Sequence, residues 1–407
     1  MGLTRFDPKF VATMSSPDTL LAPVATSTRQ VSLRVGIPCE RGFQENRVAI
    51  TPQGVALLVH NGHQVVVERD AGVPSFFSDQ DYAEAGAQLA DGPAEIYACP
   101  VVVKVGPVPT EELGYLRSGQ TVFSALHLPG LGAADLKETV SRRITGIAYE
   151  HLTDRSGYLP VVRSMSEIAG TMAILIASEY MSNQYQGRGR LLGSVSGVPP
   201  TRVLILGAGT VAEQATRAAL GLGSEVVVFD NSLRRLRRLQ ALVGRPVYTS
   251  VLHPRLLAEQ LAMADVAVGA MGARNGRTPM VVTEDMVRGM KTGSVIVDVS
   301  IDHGGCFETS RLTNHTRPVF EQFGVIHYGV PNIPSRVSQT ASESLSNIMT
   351  PILLEAGQRG GMETCLWLEP GLRAGVYCHQ GLLTQRYLGE KFGLPWTSME
   401  AMMGSGM

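Results

Sequence analysis

Between Arg202 and Asp230 the sequence carries residue types whose spacing suits the grip on a pyrophosphate. R-V-L-I-L-G-A-G-T-V-A runs from an apolar strand into Gly207, Gly209 and Ala212, followed by a helical pattern. The first glycine permits a tight turn and the second lets the backbone approach phosphates. A small third residue allows close helix–strand packing. Free N–H groups and the positive dipole end of the helix favour an anion at that point. The spacing alone is weak evidence, but the next strand, E-V-V-V-F, ends in Asp230, about twenty residues on, where a ribose partner belongs. Its carboxylate can accept both ribose hydroxyls of NAD and would repel the 2′-phosphate of NADP. The run L-R-R-L-R-R-L follows, and Arg234 or Arg235 could meet such a phosphate. Arg235 therefore joins the candidate cofactor residues, although a solvated helix face explains the run more simply. NAD is the expected cofactor. Met271, in the loop A-V-G-A-M-G-A after a strand, is expected on the nicotinamide side of the crevice.

The elements that must position these groups follow from length and pattern. A chain of 407 residues exceeds one ordinary core, so two domains are expected. With 44% hydrophobic and 17% charged residues the composition is globular, and a net charge of -1 recruits neither nucleic acid nor an anionic membrane. No apolar run approaches the roughly 20 residues of a membrane span. Residues 1–30, broken by Pro8, Ser15, Ser16, Pro17 and Asp18, lack a signal-peptide layout and read as an N-terminal arm. Five scattered cysteines without C-x-x-C spacing fit reduced thiols in the cytoplasm and no metal site.

From Val31 strands and helices alternate. A strand around R-V-G-I precedes a helix that Thr51 caps and Pro52 opens, ending at Asn61-Gly62. Further strands are expected at Q-V-V-V-E, near Val101 to Val105 and at Thr121 to Leu126, and an apolar helix from about Ser166. After a glycine-rich loop the strands R-V-L-I-L, E-V-V-V-F-D, V-A-V-G-A and S-V-I-V-D-V-S repeat the alternation, and a helix is expected from Ala341 to Ala356. The pattern gives an α/β protein of two doubly wound, Rossmann-like domains with an inter-domain cleft. The substrate domain takes 31–160, completed by 339–407, and the NAD-binding domain takes 161–338. The tail after Arg359 has an apolar content that predicts packing on a neighbour.

The chain resembles the alanine dehydrogenase family, which shares its fold with the cofactor subunit of proton-translocating transhydrogenase. The strings that carry the resemblance are R-V-G-I-P, N-R-V-A-I-T-P, A-L-H-L, V-R-S-M-S-E-I-A-G, the G-A-G-T turn, V-D-V-S-I-D-H-G-G-C-F-E and V-P-N-I-P. They occur in one order from about Val31 to Ala356. The resemblance implies that Arg47 holds the substrate carboxylate, a task suited to a bidentate guanidinium. It implies that His127 is the catalytic proton carrier, that Asp302 is catalytic beside the nicotinamide, and that Met165, Ser166 and Asn332 line the cofactor cleft. One string departs. The family's K-V-K-E-P, whose second lysine binds substrate, is replaced by K-V-G-P, with Lys104 at the first lysine and Gly106 at the second. Lys104 either reaches the substrate in its stead or supports the sheet edge. The transhydrogenase subunit also lacks the second lysine. The implied reaction is reversible oxidative deamination of L-alanine to pyruvate and ammonium, in a homo-oligomer, commonly a hexamer. Alternatives are an NAD(H)-binding transhydrogenase subunit and an enzyme of saccharopine dehydrogenase type.

Overall fold

The computed structural model describes residues 30–42, 44–126, 131–273 and 277–404. Except for Gln30 the expected arm lies outside the described residues, as does His127. Two largely parallel sheets organise the rest. The first is built from β1 (Arg34–Ile37), β2 (Gln64–Glu68), β3 (Gln88–Ala90), β4 (Val101–Val103), β5 (Thr121–Ser124) and β6 (Thr145–Ala148). The second is built from β7 (Arg202–Leu206), β8 (Glu225–Phe229), β9 (Tyr248–Ser250), β10 (Val266–Gly269), β11 (Val295–Asp298), β12 (Val319–Gln322) and β13 (Val325–Tyr328).

Their strand orders share one plan. The first sheet runs β3-β2-β1-β4-β5-β6 and the second β9-β8-β7-β10-β11-β13, with β12 antiparallel on the outer edge. Each reads 3-2-1-4-5-6 in its own count, the doubly wound order that opens a crevice beyond the strand ends where the winding reverses. Helices cover both faces, so the strands are near-continuous valine, isoleucine and leucine runs, buried throughout their centres.

Three features of the sheets' surroundings set up the site. The helix Pro52–His60 starts as expected, with the Thr51 hydroxyl accepting from the Gly54 amide. The expected helix near Ser166 begins six residues earlier, spanning Pro160–Tyr180, because Pro160 is pre-set for a first turn. It has 21 residues and a mean hydropathy of 1.3. By length and composition it is apolar enough to cross a membrane, contrary to the reading that no stretch approached that length. Instead it packs on the helix Thr210–Gly221. A Cβ at Gly170 would overlap the Val211 carbonyl oxygen, so a glycine is what lets the two backbones approach.

The long helix Ser338–Gln358 starts three residues before the expected Ala341 and packs on Pro52–His60 and Pro160–Tyr180. Its buried residues Ser338, Ser342, Ser346 and Thr350 recur every fourth position, which sets them on one face. They receive the loop before the first helix. The Val48 amide donates to Ser342 Oγ at 2.9 Å and the Thr51 amide to Ser346 Oγ at 3.1 Å.

The tail after Arg359 contributes two strands. β14 (Val376–His379) lies antiparallel on β6, and β15 (Leu382–Leu383) lies on β14, so the tail extends the first sheet of its own chain. Tyr377, Cys378, Leu383 and Leu388 join a core with Val122 and Ile144.

Candidate active site

Arg47 sits in the loop between β1 and the helix Pro52–His60 and is almost fully buried, 8% exposed. Glu45 holds it from two residues away. Arg47 Nε donates to Glu45 Oε1 at 2.7 Å and Nη2 to Oε2 at 2.6 Å. This bidentate pair consumes the Nε/Nη2 edge of the fork. On the other edge, among the described residues, Nη1 donates only to the Met165 sulfur, at 3.2 Å, a weak acceptor. That edge keeps its capacity for a carboxylate. Burial opposes the Arg47 charge, but Glu45 outweighs it and keeps the guanidinium protonated. Burial likewise pushes the Glu45 carboxyl up, while the charge and hydrogen bonds of Arg47 and a bond from Asn332 bring it below its ordinary value.

Asn332 belongs to the other half of the molecule. It follows β13 in a left-handed conformation, φ 57°, which asparagine tolerates. Its Nδ2 donates to Glu45 Oε2 at 2.7 Å. Its backbone amide donates to Asp302, which lies in a 3-10 turn, Val299–His303, directly after β11. Burial raises the Asp302 carboxyl to about 6, and His303, the Asn332 amide and Arg47 limit the rise. Beneath the turn, buried Asp298 accepts from the Ser300 and Cys306 amides and from the Ser310 hydroxyl. That anchoring fixes where Asp302 stands. Arg47, Met165, Asn332 and Asp302 are thus brought together. Ser166, next on the Pro160–Tyr180 helix, is half-buried beside them in sequence.

The glycine-rich turn forms a second group. Gly207 has φ +106°, and a Cβ there would overlap the Ala270 carbonyl oxygen, so only glycine fits. Gly209 caps the helix Thr210–Gly221 with no side chain on the first amides, and a Cβ on it would meet nothing within 4 Å. The space above those amides is open, as a phosphate would need. Ala212 is fully buried. Asp230 is buried and its oxygens accept from the Ala208 amide at 2.9 Å and the Ser232 amide at 2.7 Å. The acid expected at the ribose therefore also shapes the turn. Arg235 Nη1 lies 4.0 Å from Asp230 on a half-exposed side chain. Met271 ties the two groups together, its amide donating to Ser300 Oγ at 2.9 Å inside the Asp302 turn.

Lys104 adjoins the Arg47 group through Glu40, whose charge acts on both Arg47 and Lys104. It is completely buried, with Nζ 3.3 Å from Glu40 Oε2 and 3.7 Å from Glu112 Oε2. Glu40 also accepts the Val105 and Gly106 amides, at 2.6 and 3.1 Å. Glu112 in turn pairs with Arg41 and accepts from the Tyr97 hydroxyl. Among the described residues Lys104 Nζ has these two ion pairs and no hydrogen bond, so both sequence readings of Lys104 stay open. Glu45, Asp298 and the serine face of Ser338–Gln358 had not been singled out. Only the S-x-x-x-S-x-x-x-S-x-x-x-T spacing offered a signal.

Residues 36–169 match the family model "Alanine dehydrogenase/PNT, N-terminal domain" and residues 173–386 the model "Alanine dehydrogenase/PNT, C-terminal domain". The second match runs through β14 and β15, so the likeness extends beyond Ala356, where the shared strings stop. The chain is 37% identical over 374 residues to the alanine dehydrogenase of Lysinibacillus sphaericus, covering 91% of this chain and 100% of the relative. It is 38% identical to that of Staphylococcus haemolyticus (strain JCSC1435), covering 90% and 98%. Among solved structures it resembles an L-alanine dehydrogenase with TM-score 0.83 and 36% identity, covering 89% of this chain and 99% of that one. A transhydrogenase from Sinorhizobium meliloti is more distant, with TM-score 0.74 and 26% identity over 87% and 99%. Two matched domain models and these relatives, on a doubly wound frame that joins an arginine clamp to a glycine-rich turn, make the chain a member of the alanine dehydrogenase/PNT family.

Proposed function

We propose that the protein is an NAD-dependent L-alanine dehydrogenase, interconverting L-alanine and water with pyruvate and ammonium. The observation that carries this reading is the buried Arg47, whose Nη1 edge is left for a carboxylate beside Met165, Asn332 and Asp302. The free amides from Gly209 onward fit a pyrophosphate, and Asp230 fits a ribose without a 2′-phosphate. Gly207, Ala212, Met271, Met165, Ser166 and Asn332 would complete the cofactor's surroundings, with Arg235 at the ribose end. Bound there, NAD supplies the hydride acceptor. Arg47 fixes the substrate through its carboxylate, so that Cα is oriented before reaction. Asp302 orients water or ammonia at that carbon. Proton transfer falls to His127, by resemblance.

The working division takes 31–160 with 339–407 as the substrate half and 161–338 as the cofactor half. A cytoplasmic homo-oligomer, hexameric like its family and without nucleic-acid or membrane partners, completes the proposal. The test is NADH formation from L-alanine, run against a panel of amino acids, with NAD or NADP, with and without 2-oxoglutarate. Turnover with L-alanine and NAD alone is the expected outcome. NADH binding without turnover would favour the transhydrogenase subunit, a reading to which Gly106 in place of the family's lysine lends support. NADH oxidation that requires an amino acid together with 2-oxoglutarate would favour the saccharopine type, whose condensation is reductive.

A further inference from the structure

The loop that carries Arg47 is fastened residue by residue to the opposite half. Gln44 Nε2 donates to Thr316 Oγ1 at 2.9 Å, and Gln44 Oε1 accepts from the His315 amide at 2.6 Å. The Asn46 amide donates to Ser335 Oγ at 2.9 Å, and that hydroxyl donates to the Gln44 carbonyl at 3.0 Å. Between them Glu45 Oε2 accepts from Arg47 and Asn332 together. The outcome is an unbroken line of contacts from Arg47 through Glu45 and Asn332 to Asp302. It joins the carboxylate clamp on one half to the carboxyl beside the nicotinamide end on the other.

Resting on the dehydrogenase reading, we infer that Glu45 is a positioning residue that sets the Arg47 guanidinium against the cofactor half through Asn332, so that the substrate's Cα is aligned when the halves are joined. The physical grounds are three. Glu45 takes the Nε/Nη2 edge in a two-point contact, and such a contact fixes the plane of a guanidinium as one bond cannot. Its second acceptor position is filled from the other half, so the plane is referenced to the cofactor rather than to the mobile end of a long side chain. Finally, the carboxylate is itself buried, 8% exposed, and its charge offsets that of Arg47 inside the cleft. A binding residue would hold substrate and transition state alike, whereas a positioning residue acts on the approach. Misplacement by about 1 Å costs on the order of 100-fold in rate.

The experiment is Glu45→Gln, which keeps size but loses one acceptor and the charge. With L-alanine and NAD, kcat is expected to fall by roughly 100-fold. KM for pyruvate in the reverse direction should stay the same or fall, since Arg47 is then uncompensated. The acid limb of kcat/KM should also move to lower pH. Asp302 faces Arg47, His303 and Asp298, and a fuller positive charge on Arg47 favours its ionised form. Asn332→Gly keeps the left-handed backbone and removes Nδ2. It should lower kcat in the same way, and the double variant should fall no further. An unchanged kcat, a loss confined to KM, or additive effects of the two changes would overturn the inference. Should the wild type fail to oxidise L-alanine, the dehydrogenase reading falls by itself. Glu45 is then judged by a denaturation double-mutant cycle with Asn332, where coupling supports the line of contacts and additivity overturns it.

Discussion

Burial holds Asp302 near 6 against the combined pull of His303, the Asn332 amide and Arg47. With an ionised Asp302 needed for turnover, kcat/KM falls below about pH 6, and Asp302→Asn removes that limb of the profile. The same shift has a stability side. A carboxyl raised from 3.8 to about 6 on folding takes up a proton in the folded state, so its ionisation works against the fold as pH climbs through that window. Asp302→Asn is therefore expected to raise Tm at pH 8 and leave it unchanged at pH 4, trading activity for stability. Lys104 behaves oppositely. Its removal leaves Glu40 and Glu112 buried beside a lost cation, and breaking such a pair costs roughly 3–5 kcal/mol. Lys104→Ala should lower the unfolding free energy by that amount, seen as a lower denaturation midpoint. An unshifted midpoint with a large loss of kcat/KM would assign Lys104 to the substrate. Arg47 and Asp302 could be found because they sit in long distinctive strings. Glu45 could not, since a glutamate two positions before an arginine in a polar loop is commonplace, and its significance depends on Asn332, some 290 residues away.

Elements with strong local signals emerged from the sequence, and those defined by their neighbours did not. β7, β8, β10 and β11 are central strands, apolar on both faces, and their runs are unmistakable. β14 and β15 are short and meet at Gln380-Gly381, where both residues have positive φ, +49° and +91°. A glutamine there hides the two-residue turn that Asn-Gly would announce. The helix Pro160–Tyr180 was visible only where its composition turned uniformly apolar, although Pro160 marked its start. Its packing on Thr210–Gly221 gives a prediction at this scale. Gly170→Ala must push the helix off the Val211 carbonyl, at a cost of about 1–3 kcal/mol. Because Thr210–Gly221 presents the turn amides, weakened NADH binding in a fluorescence titration should accompany the drop in stability.

The whole molecule pairs two sheets of one plan, but they are completed differently. The second draws on one stretch, residues 202–328, whereas the first takes strands from 34–148 and then from 376–383. Truncation before Val376 should strip β6 of its outer partner and uncover the layer around Val122 and Ile144. An open edge of that kind invites association, and gel filtration is expected to show aggregates in place of a defined species. The truncated protein is also a portrait of the chain during its own synthesis. Although the first half leaves the ribosome earlier, it waits for the final strands with one flank bare. The later half has all its strands by Tyr328. At about 5–20 residues per second the wait lasts on the order of tens of seconds, so the order of manufacture and the order of completion are reversed.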